Sequence, residues 1–330
     1  MSPDTDRSPL LSVEDLEVAF RVAGGEVVAS RGVSLDARAG ETLGLVGESG
    51  SGKSVLCRAI LRLLPRPAAT VRRGRILFDG TDLLALDETR MRALRGTDIA
   101  MVFQNPMTSL SPVWPVGDQI TEGLRIHRGL SRKLARDAGI ALMQATGIPE
   151  PARRYDDYPW QWSGGMLQRA VIAMAMACSP RLLLADEPTT ALDVTIQEQI
   201  LALLSELQAA KGMALVLVSH DIGVVAETCD RIAVMYAGTV VETGPAAAVL
   251  ANPRHPYTLG LLGSRPDMDG PDRRLQPIPG QPPDLAKRAW GCPFADRCVF
   301  VSDDCRSGEV TLATHAPGHA TACRFPERIQ

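Results

Sequence analysis

Residues 47–54 read Gly47-Glu-Ser-Gly-Ser-Gly-Lys-Ser54 and match the pattern G-x-x-x-x-G-K-[ST]. The apolar run before them, residues 41–46, predicts a buried strand, and residues 56–64 predict a helix that ends before Pro65. A glycine-rich turn between a strand and a helix lets backbone N–H groups surround phosphate oxygens. The stretch therefore predicts a phosphate-binding loop in an α/β fold. A strand–helix turn without a ligand is the alternative.

Two side chains of this loop have the chemistry that a nucleoside triphosphate needs. Lys53 can reach the β- and γ-phosphates, and Ser54 can ligate Mg²⁺. The other residues expected to contact phosphate are Gly47, Ser49, Gly50, Ser51 and Gly52. Bound ATP with Mg²⁺ is the cofactor state that this set predicts.

An acidic pair, Asp186-Glu187, follows a second apolar run at residues 181–185. A carboxylate at the end of a strand beside a phosphate loop can hold Mg²⁺, and we assign that task to Asp186. Glu187 is then placed to polarise the water that attacks the γ-phosphate. A solvated acidic turn closed by Pro188 is the alternative.

The composition indicates an ordinary globular protein. Of the 330 residues 45% are hydrophobic and 22% charged, and the net charge of −3 gives no sign of nucleic-acid binding. The start has early acidic residues and no apolar core, so we expect no secretory signal. The longest apolar run, residues 170–178, is far shorter than the roughly 18 residues of a membrane span. We expect a cytosolic chain that can dock on a membrane protein.

Strand-like and helix-like segments alternate along the first 250 residues, which predicts an α/β fold with a parallel core sheet. Beyond the segments named above, we predict strands at 13–20, 32–37, 75–80 and 213–219 and helices at 131–146, 164–178 and 196–210. After residue 251 prolines and glycines become frequent, and we expect a boundary near 250–260.

Four further stretches, in order and spacing, make residues 13–245 resemble the nucleotide-binding subunit of an ABC transporter. They are the Q-loop (Gln104), the signature motif (Ser163-Gly164-Gly165), the D-loop (190–193, with Asp193) and the switch histidine (His220). The resemblance implies a P-loop ABC-type ATPase domain at 1–252 with a RecA-like core, a β-subdomain and a helical subdomain at about 105–178.

The resemblance also implies roles. Gln104 would sense the γ-phosphate, lie with the Mg²⁺ ligands and touch the membrane subunit, while His220 would act with Glu187 in catalysis. In this family two subunits face head to tail, and each ATP lies between one phosphate loop and the other subunit's signature motif. The backbone at Gly164 and Gly165 would then face a foreign γ-phosphate. Phe20 is the candidate for adenine stacking, and a core phenylalanine is the equal alternative.

Trp160-Gln161-Trp162 departs from the His-Glu-Leu that is usual before Ser-Gly-Gly in peptide-transporter relatives. Trp162 adds volume, which costs roughly 1–3 kcal/mol if its pocket is not enlarged. Gln161 lacks an acid's charge. We therefore expect the altered ATP site to be the one that combines this chain's signature motif with the partner subunit's phosphate loop, here called the borrowed ATP site. We also expect the partner ATPase to be a paralogue.

The tail narrows the resemblance to oligopeptide and dipeptide importer ATPases. Residues 255–266 (HPYTLGLLGSRP), 274–285 (RLQPIPGQPPDL) and 105–120 resemble that subfamily, and 253–330 would be its C-terminal extension. Nickel, glycoside and opine importers share this tail, so the solute stays open. The implied partners are a second ATPase subunit, two permease subunits and an extracytoplasmic solute-binding protein, with no nucleic acid. The chain would lie on the cytoplasmic face of the inner or plasma membrane.

The sequence disfavours two other classes of ABC protein. Soluble ABC ATPases of DNA repair or translation carry long coiled-coil insertions or tandem domains, and the sequence has neither. A regulatory subunit without turnover would be expected to lack Glu187 or His220, and both are present.

The seven cysteines fall into two groups, and a cytosolic chain disfavours disulfides for both. We expect buried structural thiols at Cys57, Cys178 and Cys229. The other four lie near the C-terminus: Cys292, Cys298, Cys305 and Cys323.

The gaps between these four hold five (293–297), six (299–304) and seventeen (306–322) residues. Structural zinc sites favour pairs two to four residues apart, whereas thiolates from looping segments can enclose a [4Fe–4S] cluster. Arg297 and Arg324 would offset its negative charge. Because some relatives with this tail bind such a cluster, the resemblance implies one here. A zinc site and reduced structural cysteines are the alternatives.

Overall fold

The computed structural model describes residues 8–190, 192–264, 277–286 and 291–329. The chain divides into two compact units. The first comprises Met1–Ala37, Thr42–Leu84 and Ser219–Gln330, and the second comprises Arg38–Glu41 and Ala85–Val218. Within the described part, no helix is long and apolar enough to cross a membrane.

The strands are β1 (Leu11–Val22), β2 (Gly25–Ala37), β3 (Thr42–Val46), β4 (Ala69–Phe78), β5 (Thr81–Asp82), β6 (Ile99–Val102), β7 (Leu182–Asp186), β8 (Ala214–Ser219), β9 (Arg231–Tyr236), β10 (Thr239–Pro245), β11 (Ala313–Ala316) and β12 (His319–Thr321). The helices are α1 (Lys53–Ile60), α2 (Glu88–Leu94), α3 (Pro106–Ser109), α4 (Val116–Arg128), α5 (Arg132–Ala145), α6 (Pro151–Arg154), α7 (Gly164–Met176), α8 (Val194–Lys211), α9 (Ile222–Thr228), α10 (Ala246–Ala251) and α11 (Pro256–Gly263). Short 3-10 helices lie at Pro159–Gln161, Ala295–Arg297, Asp303–Arg306 and Pro326–Arg328.

The first unit contains an antiparallel sheet in the order β2-β1-β4-β5. Apolar residues of β1 are buried, as at Leu11, Val13 and Leu16. β1 and β2 are the predicted strands, and both are longer than predicted because they continue into a hairpin at residues 23–24.

The first unit also contains the strands around the phosphate loop. β3 runs parallel to β9, and β9 pairs antiparallel with β10. Gly44 in β3 lets α9 approach, because a Cβ there would lie 2.0 Å from Val225 Cγ1. From the C-terminal part, β12 pairs with β10 at Glu242–Thr321 and Thr243–Ala320. The C-terminal tail therefore adds strands to the sheet that supports the loop.

In the second unit β6, β7 and β8 are parallel and almost wholly buried. This confirms the predicted α/β class with parallel strands. Helices α4, α5 and α7 are grouped together, and Leu124, Ala135 and Cys178 form a small apolar core there.

Among the predicted helices, the one at 56–64 differs most from the structure in its bounds. α1 begins at Lys53, three residues before the predicted start, because Gly52 already serves as its N-cap. It ends at Ile60 rather than at residue 64, since Arg62 adopts a positive φ of 54°. An early start brings Lys53 and Ser54 into the first helical turn.

Candidate functional site

The phosphate loop lies between β3 and α1 and folds around its own lysine. Lys53 is 4% exposed, and its Nζ donates hydrogen bonds to the carbonyl oxygens of Gly47 at 2.6 Å and Glu48 at 2.9 Å. Its third donor contact is Ser51 Oγ at 3.3 Å. These bonds hold the positive charge inside the loop, where an anion would be bound.

Glycine is required at two positions of this loop. A Cβ on Gly47 would lie 2.1 Å from the carbonyl oxygen of Met235, and one on Gly52 would lie 2.5 Å from that of Ala29. Gly52 also has a φ of +102°, which other residues rarely adopt. Ser49 and Gly50 lie at the exposed rim. The glycines thus let the loop pack directly on neighbouring strands.

The acidic pair lies at the end of β7 in the second unit. Asp186 is 2% exposed, while Glu187 turns away from the strand with a positive φ of 47°. The Glu187 N–H donates to the Val218 carbonyl at 3.1 Å. A positive φ in a non-glycine residue is uncommon and stores strain where a side chain has to be aimed.

Gln104 contacts Glu187. Its Nε2 donates to Glu187 Oε2 at 2.8 Å, and Thr190 Oγ1 donates to the same oxygen at 3.0 Å. Two donors on one oxygen restrict the orientation of the carboxylate. The predicted glutamine and the predicted base are therefore neighbours.

The signature serine and the D-loop aspartate each begin a helix. Ser163 Oγ accepts from Met166 N at the start of α7, and Asp193 Oδ1 accepts from Ile196 N at 2.9 Å at the start of α8. A Cβ on Gly165 would lie 3.0 Å from Ile196 Cγ2. Glycine at 165 thus has a packing reason that the sequence did not reveal.

The unusual tryptophans have opposite environments. Trp162 is 7% exposed, and its indole Nε1 donates to Asp157 Oδ2 at 3.1 Å. Trp160 is 68% exposed and stacks on Tyr158, with ring centroids 6.1 Å apart. The extra volume at residue 162 is accommodated in a pocket with a hydrogen-bond partner for the indole.

The remaining predicted residues lie in the first unit. His220 is exposed directly after β8, and Asp221 caps α9 by accepting from Gly223 N at 2.7 Å. Phe20 is half-buried in β1, where it pairs with Val27 of β2.

The four C-terminal cysteines line one pocket in the first unit, together with His255, three phenylalanines and Arg324. Burial, together with a smaller contribution from the neighbouring thiols, raises the pKa of Cys292 and of Cys323 to about 11. Arg297 is directed elsewhere, because its guanidinium pairs with Glu48. Of the two arginines expected beside a cluster, only Arg324 lines the pocket.

Three of these cysteines share a local pattern that sequence reasoning missed. In Cys292-Pro-Phe294, Cys298-Val-Phe300 and Cys323-Arg-Phe325, the phenylalanine N–H donates to the cysteine sulfur two residues earlier. Each phenylalanine ring also lines the pocket. The repeated Cys-x-Phe was visible in the sequence and could have indicated a shared environment.

Throughout the described ranges, no three histidine, cysteine, aspartate or glutamate side chains are grouped so that they could hold a metal ion.

Comparison with known proteins then identifies the family. Residues 30–190 match the ABC transporter model, and residues 241–305 match the C-terminal region of oligopeptide/dipeptide transporters. The dipeptide transport ATP-binding protein DppD of Bacillus subtilis is 52% identical over 289 residues, covering 88% of this chain and 86% of that protein. DppD of Escherichia coli is 47% identical over 317 residues, covering 96% of this chain and 97% of that protein. The chain belongs to the ABC transporter ATPase family.

Solved structures agree with this membership. One of them is a dimeric ATP-binding cassette in a post-hydrolysis state, bound to ADP and Pi. Its sequence is 28% identical to this chain and the TM-score is 0.65, and the match covers 72% of this chain and 98% of the cassette chain. The resemblance inferred from the motifs is confirmed. As an ABC ATPase the chain hydrolyses ATP with Mg²⁺, and its family works as ATPase dimers with membrane permease partners.

Proposed function

We propose that this chain powers the import of di- and oligopeptides through an ABC transporter permease. The observation that carries the proposal is the similarity to dipeptide transport ATP-binding proteins, 47% and 52% identical over 96% and 88% of this chain, together with the matching C-terminal region at 241–305. A nickel, opine or other solute importer of the same subfamily is the alternative. A regulatory ABC ATPase without transport is disfavoured by the presence of Glu187 and His220.

The chemistry assigned to the second unit centres on Glu187. Its carboxylate would accept a proton from the water that attacks the γ-phosphate, while the bond to ADP breaks. Gln104 and Thr190, which both donate to Oε2, would hold the carboxylate in a fixed orientation.

Other residues would bind nucleotide. Lys53 would pair with phosphate, because its ammonium is already held at the centre of the loop. Bound Mg²⁺ neutralises phosphate charge, and the residues assigned to it are Ser54, Asp186 and Gln104. His220 is assigned to catalysis. A partner's ATP would be contacted by Ser163, Gly164, Gly165 and Asp193.

The assembly would pair this chain with a paralogous ATPase, two permease subunits and an extracytoplasmic solute-binding protein. The chain would be peripheral on the cytoplasmic face of the inner or plasma membrane, without nucleic-acid partners. We assign residues 1–252, with a helical subdomain at 105–178, to the nucleotide-binding domain and residues 253–330 to the extension.

For the extension we propose a structural [4Fe–4S] cluster held by Cys292, Cys298, Cys305 and Cys323. A cluster needs several thiolates around one space, and all four of these cysteines line one pocket. Backbone N–H groups directed at three of the sulfurs would stabilise the thiolates that ligation requires.

The transport proposal is tested with the assembled transporter in proteoliposomes. ATP-dependent uptake of a labelled dipeptide, a labelled tetrapeptide, nickel and an opine is measured in parallel. We expect uptake of the peptides and its loss when the chain carries Glu187→Gln. Nickel or opine uptake without peptide uptake would assign the alternative solute.

A further inference from the structure

The phosphate loop is held from the C-terminal extension by a two-point ion pair. Arg297 donates from NH1 to Glu48 Oε2 at 2.6 Å and from NH2 to Glu48 Oε1 at 3.0 Å. Glu48 is the second residue of the loop, and Arg297 lies 249 positions later, between two of the pocket cysteines. Bidentate arginine–carboxylate pairs fix geometry as well as charge.

Arg297 is itself immobilised. Its side chain is 6% exposed, its Nε donates to the Pro279 carbonyl at 2.8 Å, and its NH1 also donates to Tyr236 Oη at 3.2 Å. A guanidinium with this many fixed partners loses little additional freedom when it binds Glu48. Arg297 is therefore a rigid support for the loop.

A second contact from the extension reaches the same loop residue. The Glu48 N–H donates to the hydroxyl oxygen of Tyr257 at 2.7 Å. Tyr257, in α11, is fully buried, and its ring packs against Tyr236 and Phe294. Backbone and side chain of Glu48 are thus both anchored on residues outside the loop.

Glu48 connects these anchors to the phosphate-binding lysine. Its carbonyl oxygen accepts from Lys53 Nζ at 2.9 Å. We propose that Arg297, assisted by Tyr257, is a positioning residue for ATP binding that holds the loop through Glu48 and neutralises its carboxylate. The inference rests on the proposed assignment of residues 47–54 to phosphate binding.

Loss of the guanidinium would have a specific electrostatic consequence. Without Arg297 the charge of the Glu48 carboxylate is no longer balanced in a loop that receives the negatively charged phosphates, and like charges repel. ATP binding should weaken while the residues assigned to the chemical step remain in place. Removing the Glu48 charge as well should relieve this repulsion, which a merely structural role of Arg297 would not allow.

The test compares ATPase kinetics of the full chain in the assembled transporter. Arg297→Gln should raise the KM for ATP by about tenfold with kcat within about twofold of the unmodified chain. Adding Glu48→Gln to Arg297→Gln should return the KM to within about threefold. Tyr257→Phe, which removes only the hydroxyl, should raise the KM about threefold.

A matched control is available in the same extension. Arg306 also neighbours a pocket cysteine, but it pairs with the exposed Asp296. Arg306→Gln should leave KM and kcat unchanged. The proposal is overturned if the KM of Arg297→Gln equals that of Arg306→Gln, or if adding Glu48→Gln makes the KM worse.

Two measurements separate the possible failures. Thermal unfolding shows whether the Arg297→Gln variant folds. If it does not fold, the test passes to Tyr257→Phe, and an unchanged KM for ATP in that variant overturns the proposal. Lys53→Ala tests the loop assignment itself. If Lys53→Ala binds ATP normally, the assignment and the inference both fail; if it loses binding while Arg297→Gln keeps the normal KM, only the inference fails.

Discussion

The side-chain amide of Gln104 donates to the carboxylate of Glu187 at 2.8 Å, although 83 positions separate the two residues in sequence. The contact follows from the parallel pairing of β6 with β7, in which Val102 lies opposite Ala185. Each polar residue comes two positions after this pair. The neighbouring strand ends thus bring Gln104 into contact with the proposed catalytic base.

Substitution of the proposed base should separate binding from turnover. Glu187→Gln keeps the shape and the contact with Gln104 but cannot accept the proton, so ATP hydrolysis should fall by about 10²-fold or more while ATP binding is retained. Steady-state hydrolysis and equilibrium nucleotide binding are measured on the assembled transporter. Glu206→Gln, at an exposed position of α8, is the control. Hydrolysis at the parental rate by Glu187→Gln would refute the assignment.

The two tryptophans before the signature motif form a matched pair for stability. Trp162→Leu removes buried volume and leaves Asp157 without the indole donor, so the free energy of unfolding should fall by about 2 kcal/mol. Trp160→Leu, at an exposed position, should change it by less than about 0.5 kcal/mol. Denaturant unfolding of both variants measures the difference. Equal decreases in the free energy of unfolding for the two variants would mean that the buried indole does not stabilise the fold more than the exposed one.

The same region tests whether the borrowed ATP site is altered. Trp162→Leu combined with Gln161→Glu restores the acid and the smaller apolar residue that are usual in relatives. ATPase activity of the assembled transporter, measured well below the unfolding temperature, should rise or stay unchanged. A sharp fall would show that Trp162 is a working part of the interface and would remove the argument for an asymmetric ATPase pair.

The cysteine pocket should yield iron and sulfide after anaerobic purification. We expect about four of each per chain and visible charge-transfer absorbance, because four thiolates fit one [4Fe–4S] cluster. Cys298→Ser should lose most of the iron, whereas Cys178→Ala, at a buried thiol outside the pocket, should retain it. A colourless protein with about one zinc and no iron would instead establish a zinc site.

Cys229 should resist alkylation in the folded protein. Burial raises the pKa of its thiol to about 12, so at pH 8 only about 10⁻⁴ of it is the reactive thiolate. Mass spectrometry after brief iodoacetamide treatment at pH 8 should find Cys229 unlabelled before unfolding and labelled after it in denaturant. Raising the pH toward 12 increases the thiolate fraction, and labelling should rise accordingly. Rapid labelling at pH 8 in the folded state would contradict the buried environment.

The sequence by itself determined the features that depend on neighbouring residues. The run from strand to glycine-rich loop to helix located Lys53 and Ser54, and an apolar strand followed by two acids located Asp186 and Glu187. Such patterns are readable because periodicity and turn chemistry act over a few residues. The order of these motifs was enough to predict the α/β class and the family.

Only the tertiary structure decided the partners of these residues. The pairing of Arg297 with Glu48, the indole pocket that joins Trp162 to Asp157, and the pairing of β12 with β10 have no local signature. The sequence predicted a role for Arg297 beside a cluster, whereas the fold pairs it with Glu48 of the phosphate loop. A long side chain takes whichever partner packing brings within reach, and that choice depends on segments far apart in the chain.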